Sequence, residues 1–356
     1  MFSFSNVIHF ILIFQGSLLV LYILTSKNQK TRGNIVLAII IGAMVMQMAG
    51  FILSSHHILT TFLRNANGVF GYLYGPLLYL YNKSITRSDF EFDSRNISHF
   101  GPAFLVLISA IFGWHKNYQT NIYIGYAIHI SIYVVACFLE VSRYRKAVRD
   151  NRSDLEQLNV GWLQSVFVVF TCLVFVDVIQ FFSFMLNFNT AWAETVVFLM
   201  ILTAINLLYF KGFVSVHKIR GVNQSELDFS STVKLEKKID LTVFENQQLL
   251  DSLTNYMRDE QPFKNPNLTI GMLADALGVQ KRNLSELVNH YHKQNFVDFI
   301  NTFRVDYAKE RLQKPKDPYE TILEVLYEAG FNSKSSFNAA FRKKTGKTPT
   351  QFKKNQ

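Results

Sequence analysis

The side chains best suited to chemistry lie close to the carboxyl end of the sequence, in SKSSFNAAFRKKTGK at residues 333–347. Serines and a lysine begin this stretch, cationic side chains follow, and no acidic residue occurs after Glu328. At the start of a helix such groups can reach base edges in the major groove, whereas lysines and arginines contact phosphates. The predicted base contacts are Ser333, Lys334, Ser335 and Ser336, and the predicted phosphate contacts are Arg342, Lys343, Lys344 and Lys347. A basic tail lying on anionic lipid is the alternative, and the ordered turn signals around the stretch disfavour it.

A second set of the same kind lies upstream, in QKRNLSELVNHY at residues 280–291. Basic, hydroxyl and carboxylate side chains again stand near the start of a helical pattern. The predicted base contacts here are Lys281, Arg282, Ser285 and Glu286. The Glu286 carboxylate could accept a hydrogen bond from a cytosine amino group, or it could be a solvated surface acid.

Both sets occupy the second helix of a helix-turn-helix pattern. In LTIGMLADALGV, residues 268–279, apolar side chains recur at helical spacing, Thr269 can cap the helix and Gly278 supplies the turn. The stretch TILEVLYEAGF, residues 321–331, repeats the helix and the glycine turn. Between them FVDFINTFRVDYAKERL, residues 296–312, predicts a long helix. Residues 266–350 therefore predict two helix-turn-helix units joined by one helix.

The stretches LADALGV and LSELVN, the linking helix and ILEVLYEAGFNSKSSFNAAFRKKTGKTPTQFKK together resemble the DNA-binding domain of the AraC/XylS family of bacterial transcription regulators. The resemblance covers residues 260–354 and implies two recognition helices that enter successive major grooves on one face of double-stranded DNA. The chain departs from the family pattern at Val288, Asn289 and Lys293, and Ala339 stands where members can present a long base-reading side chain. The family's usual soluble sugar-binding domain is missing, and members with membrane-embedded amino halves fit the layout.

The amino-terminal part of the chain is far more apolar. The 356 residues are 49% hydrophobic and 17% charged, with a formal charge of +10, whereas soluble domains are ~25% charged. Residues 1–212 hold long apolar runs and the remainder holds most of the charge, so the chain has at least two domains in two solvents. Seven stretches approach the ~20 apolar residues of a spanning helix: residues 4–24, 35–53, 58–81, 99–114, 122–141, 161–186 and 192–213.

The lysines and arginines between these stretches alternate from loop to loop. The loops after the first, third and fifth stretches are rich in them, and the loops in between hold one or none. Cytoplasmic loops carry the excess of lysine and arginine. Seven spans therefore predict an amino terminus outside and a carboxyl terminus in the cytoplasm, in the cytoplasmic membrane of a bacterium.

Several polar side chains fall inside the predicted spans, toward the outer side. Polar groups at membrane depth are costly and often functional. The candidate signal site consists of His129, Asp177, Gln180 and Glu194. Two alternatives stay open for these residues: hydrogen bonds between helices, and conduction of protons or ions.

Residues 214–262 predict a juxtamembrane linker that ends in an amphipathic helix, LTVFENQQLLDSLTNYM, residues 241–257. This helix is either a stalk that transmits a signal or dimerises, or a cap on the following domain. The predicted fold is therefore all-α, with a seven-helix transmembrane bundle at 1–213, the linker and stalk at 214–262, and the double helix-turn-helix domain at 263–356.

The sequence holds no recognisable catalytic motif, so we do not expect an enzyme. Cys137 and Cys172 have no metal-binding spacing, and we expect neither a metal nor a cofactor. The predicted function is membrane-anchored, one-component transcription regulation. The expected partners are double-stranded DNA, the lipid bilayer, an unknown small-molecule or envelope signal, and a second copy of the chain. A transporter or channel with a regulatory DNA-binding tail, and a membrane enzyme that uses the outer histidines, are the alternatives.

Overall fold

The computed structural model describes residues 4–26, 31–55, 67–112, 119–153, 243–317 and 319–354, with scattered positions between 168 and 206 and at 221–222 and 226–227. Helices dominate these residues, and no extended strand occurs among them. The chain divides into two compact units. The first consists of Met1–Ser142 and Val160–Gly221, and the second of Arg143–Asn159 and Val222–Gln356. The expectation of an all-α fold is confirmed for the described part of the chain.

The first unit contains the apolar helices. They are α1 (Phe4–Thr25), α2 (Arg32–Ser55), α3 (Val69–Thr86), the short α4 (Ser94–Ile97), α5 (Gly101–Ile111) and the beginning of α6 (Gln119–Asn151). Helices α1 and α2 approach closely at Gly16, where an added Cβ would lie 2.6 Å from Val45 Cγ2. Small residues at such crossings let two helix backbones approach closely.

Three helical stretches among the described residues are long and apolar enough to cross a membrane: Val7–Thr25, Arg32–Gly50 and Asn121–Asn151. They correspond to the first, second and fifth of the seven predicted spans. The third predicted span corresponds to α3, which starts at Val69 and has 18 residues. The fourth corresponds to α5, whose 11 residues are too few for the ~30 Å of a bilayer core. The sixth and seventh predicted spans lie mostly outside the described residues. Among the described residues there are thus three candidate spans and not seven.

The surface of the first unit is rich in apolar side chains. Phe14, Met46, Phe104 and Leu105 are each more than 60% exposed. Patches of this kind are unfavourable in water and are the normal surface of a helix in lipid. Inside the unit, the buried carboxylate of Glu140 lies 2.5 Å from Arg87 Nε, so its charge is paired.

The second unit contains the helices of the predicted DNA-binding domain. They are α7 (Val243–Asp259), α8 (Ile270–Ala276), α9 (Lys281–Tyr291), α10 (Phe296–Gln313), α11 (Ile322–Glu328), α12 (Lys334–Thr345) and α13 (Pro349–Lys354). Side-chain caps begin five of them, because hydroxyl and amide oxygens accept from backbone N–H groups that the helix leaves unpaired. The capping residues are Thr269, Asn295, Thr321, Ser333 and Thr348. The predicted Thr269 cap is therefore confirmed.

Two buried clusters form the core of the helix-turn-helix region, and α10 contributes to both. Its first half packs Phe296, Phe299 and Ile300 against α8 and α9. Its second half packs Val305, Ala308 and Leu312 against α11 and α12. Each helix-turn-helix unit thus has its own core, and the long helix sets the distance between the two units.

Helix α7 packs in the first of these cores. Leu253 and Met257 are completely buried there, next to Ile270 and Leu284. Of the two interpretations of the amphipathic helix, the cap on the following domain is the one that this packing supports.

Candidate nucleic-acid interface

The second helix-turn-helix unit places α12 by a glycine turn. Gly330 has a φ of +86°, and an added Cβ would lie 2.5 Å from the carbonyl oxygen of Phe263. L side chains rarely adopt this backbone conformation, and here there is no room for one. The turn therefore requires glycine and fixes the direction in which α12 leaves it.

The predicted base-contacting residues of α12 have two kinds of environment. Lys334 and Ser335 are exposed at the amino end of the helix. Ser333 is the cap: its Oγ accepts from Ser336 N at 3.3 Å. The Ser336 hydroxyl donates to the carbonyl oxygen of Ser333 at 3.0 Å. Two of the four side chains thus project outward, and the other two hold the start of the helix.

The exposed face of α12 continues beyond these serines. Phe337, Ala340 and Phe341 are buried, whereas Asn338, Ala339 and Arg342 are exposed. Because Asn338 lies four residues after Lys334 and four before Arg342, the three form one stripe along the helix. The Asn338 amide can pair with the N6 and N7 atoms of adenine. The residue types alone did not single out Asn338, but its spacing from Lys334 and Arg342 could have done so.

The predicted phosphate contacts lie around the carboxyl end of α12. Lys343 Nζ lies 2.7 Å from Asp298 Oδ1, and Lys344 Nζ lies 2.5 Å from Asp306 Oδ2. Both acids belong to α10, so these lysines also join the two helices. Arg342 and Lys347 are exposed. The four cations are therefore brought together at one end of the unit.

The first helix-turn-helix unit presents its reader helix, the helix expected to enter the major groove, differently. On α9, Lys281 and Arg282 are partly buried, and Ser285 and Glu286 are only 3% and 8% exposed. Arg282 Nε lies 3.0 Å from Glu286 Oε1, so the carboxylate is engaged with its own helix. The pKa of Lys281 is lowered, mainly by burial. The Glu226 carboxylate opposes this shift and the Arg152 guanidinium adds to it. The four predicted contacts of this unit share one helix end, but two of them are covered.

Of the candidate signal site, only His129 lies in the described part of the chain. Its ring lies 5.2 Å from that of Tyr72 and 4.9 Å from that of Tyr133, centroid to centroid. Neither nitrogen of His129 has a hydrogen-bond partner among the described residues. Asp177, Gln180 and Glu194 lie outside the described residues, so the grouping of the four stays a prediction.

Two polar residues of the first and second predicted spans, Gln15 and Gln47, make hydrogen bonds within the first compact unit. Tyr74 Oη donates to Gln47 Oε1 at 2.5 Å, and Asn206 Nδ2 donates to Gln15 Oε1 at 3.3 Å. These contacts agree with the interpretation of polar residues as helix-packing groups. In the part of the chain that the structure describes, no group of His, Cys, Asp or Glu side chains could hold a metal ion.

Comparisons with known proteins agree with the geometry of the helix-turn-helix region in the second compact unit. A family described as a helix-turn-helix domain matches residues 273–355. An uncharacterized HTH-type transcriptional regulator in the cgkA 5' region of Pseudoalteromonas carrageenovora is 29% identical over 117 residues. The match covers 33% of this chain and 62% of that relative, which is less than two thirds of its length. No solved structure matches.

Residues 273–355 are accordingly a helix-turn-helix domain of the AraC type, as the motifs predicted. The matched range begins within α8 and ends with α13, so it contains both reader helices and the long helix between them.

Proposed function

We propose that this protein is a membrane-anchored transcription regulator that binds promoter DNA sequence-specifically through its two helix-turn-helix units. The observation that carries the proposal is the exposed stripe of Lys334, Asn338 and Arg342 on α12, inside a domain of the AraC type. A helix that offers amide and cationic groups on one face, with aromatic residues on the other, is suited to the major groove.

Within this function the residues have distinct roles. Lys334 and Ser335 on α12, and Lys281 and Arg282 on α9, contact base edges. Arg342, Lys343, Lys344 and Lys347 contact phosphates and set the register of the domain on the duplex. No step of this function requires bond-making chemistry, and we assign no enzymatic activity.

The apolar helices anchor the regulator in the bacterial cytoplasmic membrane, with the carboxyl terminus in the cytoplasm where DNA is. The three span-length helices and the exposed apolar surface of the first unit support this assignment. The membrane unit senses a small molecule or an envelope signal and passes it to the DNA-binding unit, and a homodimer is the expected assembly.

Selection of duplexes from a random library by the full chain in lipid nanodiscs tests DNA binding. We expect enrichment of one sequence family and an affinity that falls steeply with salt, because phosphate contacts release counterions. Lys334→Ala should weaken binding to the selected duplex by about 1–3 kcal/mol. The matched control is Lys314→Ala, an exposed lysine outside both reader helices. Failure to enrich any sequence at low salt would overturn the proposal.

A further inference from the structure

The end of α6 is part of the DNA-binding unit. Helix α6 begins at Gln119, and its residues from Arg143 onward belong to the second unit. Tyr144, Ala147 and Val148 are completely buried and share one helix face. We call residues 143–153 together with Glu226 the junction. A solvated loop between membrane helices would not bury three successive positions of one face, so the junction is a packed element.

A buried arginine of the long helix holds the junction. Arg304 on α10 is 1% exposed. Its Nη1 donates to the carbonyl oxygen of Ser153 and its Nη2 to the Ser153 hydroxyl, both at 2.9 Å. Further bonds reach the carbonyl oxygens of Phe263 and Asn265, both at 2.8 Å. Removing Ser153 would leave part of a buried cation unsatisfied, which is costly, so the junction contact is strongly coupled to the fold of the domain.

The junction lies against the start of the first helix-turn-helix unit. Ser153 N donates to the carbonyl oxygen of Leu268 at 3.1 Å. Arg152 forms an isolated antiparallel bridge with Thr269, the residue that caps α8. Backbone contacts of this kind fix position more closely than side-chain contacts do. The end of a span-length helix is therefore attached directly to the element that supports α9.

An ion pair joins the two parts of the junction beside the first reader helix. Arg152 Nη2 lies 3.0 Å from Glu226 Oε2, and the two side chains are 11% and 17% exposed. Both charges act on the partly buried Lys281 at the amino end of α9. The Glu226 carboxylate thus gives an anionic neighbour within the protein to a lysine that is proposed to reach base edges.

The burial pattern of α9 shows that the middle of its outer face is covered. Residues 284–288 are all buried, and five consecutive residues go more than once around a helix of 3.6 residues per turn. On α12 the corresponding outward positions, Ser335, Asn338 and Ala339, are exposed. The two reader helices are therefore in different states, one open and one covered.

We propose that the junction and DNA compete for the first reader helix, so that this structure is an autoinhibited form that binds DNA mainly through α12. Displacement of the junction removes the Arg152 and Glu226 charges from beside Lys281 and frees α9 for a second major groove. Because the junction continues α6, a signal that moves this helix changes DNA affinity directly. The inference rests on the proposed function and specifies its regulation.

A reversible cross-link tests the contact. An antiparallel bridge places its two Cα atoms about 4.5–5.5 Å apart, within the range of a disulfide. Arg152→Cys and Thr269→Cys, introduced with Cys137→Ala and Cys172→Ala in the full chain in nanodiscs, should therefore form a disulfide on mild oxidation. A chain that does not cross-link would overturn the docked junction.

DNA affinity of the same protein, oxidised and then reduced, tests the competition. The probe is the duplex that the wild-type chain selects. We expect the reduced form, which has lost the Arg152 ion pair, to bind about 5–150-fold more tightly than the oxidised form. Equal affinities, or tighter binding by the oxidised form, would overturn the competition. If no form and no variant binds any selected duplex, DNA binding itself fails.

Charge reversal provides a matched set without a cross-link. Arg152→Glu and Glu226→Arg change the local charge in opposite directions, but each breaks the same ion pair. Release of the junction predicts that both single variants bind the probe more tightly and that the double variant returns to wild-type affinity. Opposite effects of the two single variants would show simple electrostatics at Lys281 and would refute competition.

Discussion

Gly330, in the second helix-turn-helix unit, occupies a position that only glycine fits. Its φ of +86° and the 2.5 Å from a Cβ to the Phe263 carbonyl oxygen act together. Gly278 is the matched control, since its φ is +66° and an added Cβ would meet nothing within 4 Å. Gly278→Ala should lower the free energy of unfolding by about 1–2 kcal/mol, because alanine disfavours the left-handed backbone. Gly330→Ala should cost clearly more, because backbone must also move.

Thermal unfolding of the two purified variants checks this difference. Equal losses at the two glycines would mean that the close approach at Gly330 relaxes at no cost. The GF pair at residues 330–331 indicates a turn from the sequence alone. The approach of the Phe263 carbonyl oxygen could not have been predicted, because it joins positions 67 residues apart in the chain.

Asn338 is the side chain on α12 whose loss should change specificity rather than overall affinity. Asn338→Ala should relax the preference at one base pair, by about 1–3 kcal/mol, if the amide pairs with adenine. Lys343→Ala is the comparison, because loss of a phosphate contact weakens all sequences alike and lowers the salt slope by about one. Binding profiles of both variants on singly substituted duplexes measure this, and a uniform loss for Asn338→Ala would contradict base reading.

Sequence spacing and structure agree only in part at the first turn of α12. Hydroxyls and a lysine before a helix predicted base contacts at Ser333 and Ser336. The structure uses these two hydroxyls in the cap. The same chemistry, a hydroxyl at a helix start, serves capping and base reading, and residue type alone does not separate the two.

At the scale of elements, α7 shows how packing decides between two interpretations that periodicity leaves equal. Leu253 is completely buried in the first core. Leu253→Ala should therefore lower the free energy of unfolding by about 2–5 kcal/mol. Asn255→Ala, at an exposed position of the same helix, should change it little. Chemical unfolding of the two variants compares them. No effect of Leu253→Ala on the helix-turn-helix domain would favour a free stalk.

The start of α11 gives an element-level prediction about pH. Thr321 N donates to Glu324 Oε2 at 2.7 Å, and Glu324 N donates to Thr321 Oγ1 at 3.2 Å. The Thr321 N–H lowers the pKa of the Glu324 carboxyl. A folded-state pKa below the unfolded value means that the carboxylate stabilises the helix above the unfolded pKa and that this contribution is lost as the pH falls through the folded pKa.

Glu324→Gln isolates this contribution, because glutamine can still accept the hydrogen bond of a capping box. The wild type should unfold at a higher temperature than Glu324→Gln at neutral pH. The gap should close as the pH falls below the ordinary range of glutamate. A gap that stays constant with pH would mean that the charge contributes nothing.

For the whole molecule, the sequence predicted the DNA-binding domain better than the membrane spans or the connection between the two. The helix-turn-helix duplication follows from local signals that recur at a fixed order, so the domain of residues 273–355 was predictable. The span count was not: α5 has 11 residues, and its neighbours in the predicted stretch looked apolar enough to extend it. Membership of residues 143–153 in the DNA-binding unit was also beyond reach, since the Ser153 to Arg304 contact spans 151 positions.

The orientation of α6 is the whole-molecule feature on which the proposed regulation depends. If the carboxyl terminus is cytoplasmic, the helix must cross with Asn151 on the DNA side. Reporter insertions after Lys116 and after Asn151 test this in the full chain. Alkaline phosphatase, which is active only outside, should report at the first site, and a fluorescent protein that folds only inside should report at the second. An insertion after Lys354 must match the second site, because a carboxyl terminus outside the cell would separate both reader helices from DNA whatever α6 does.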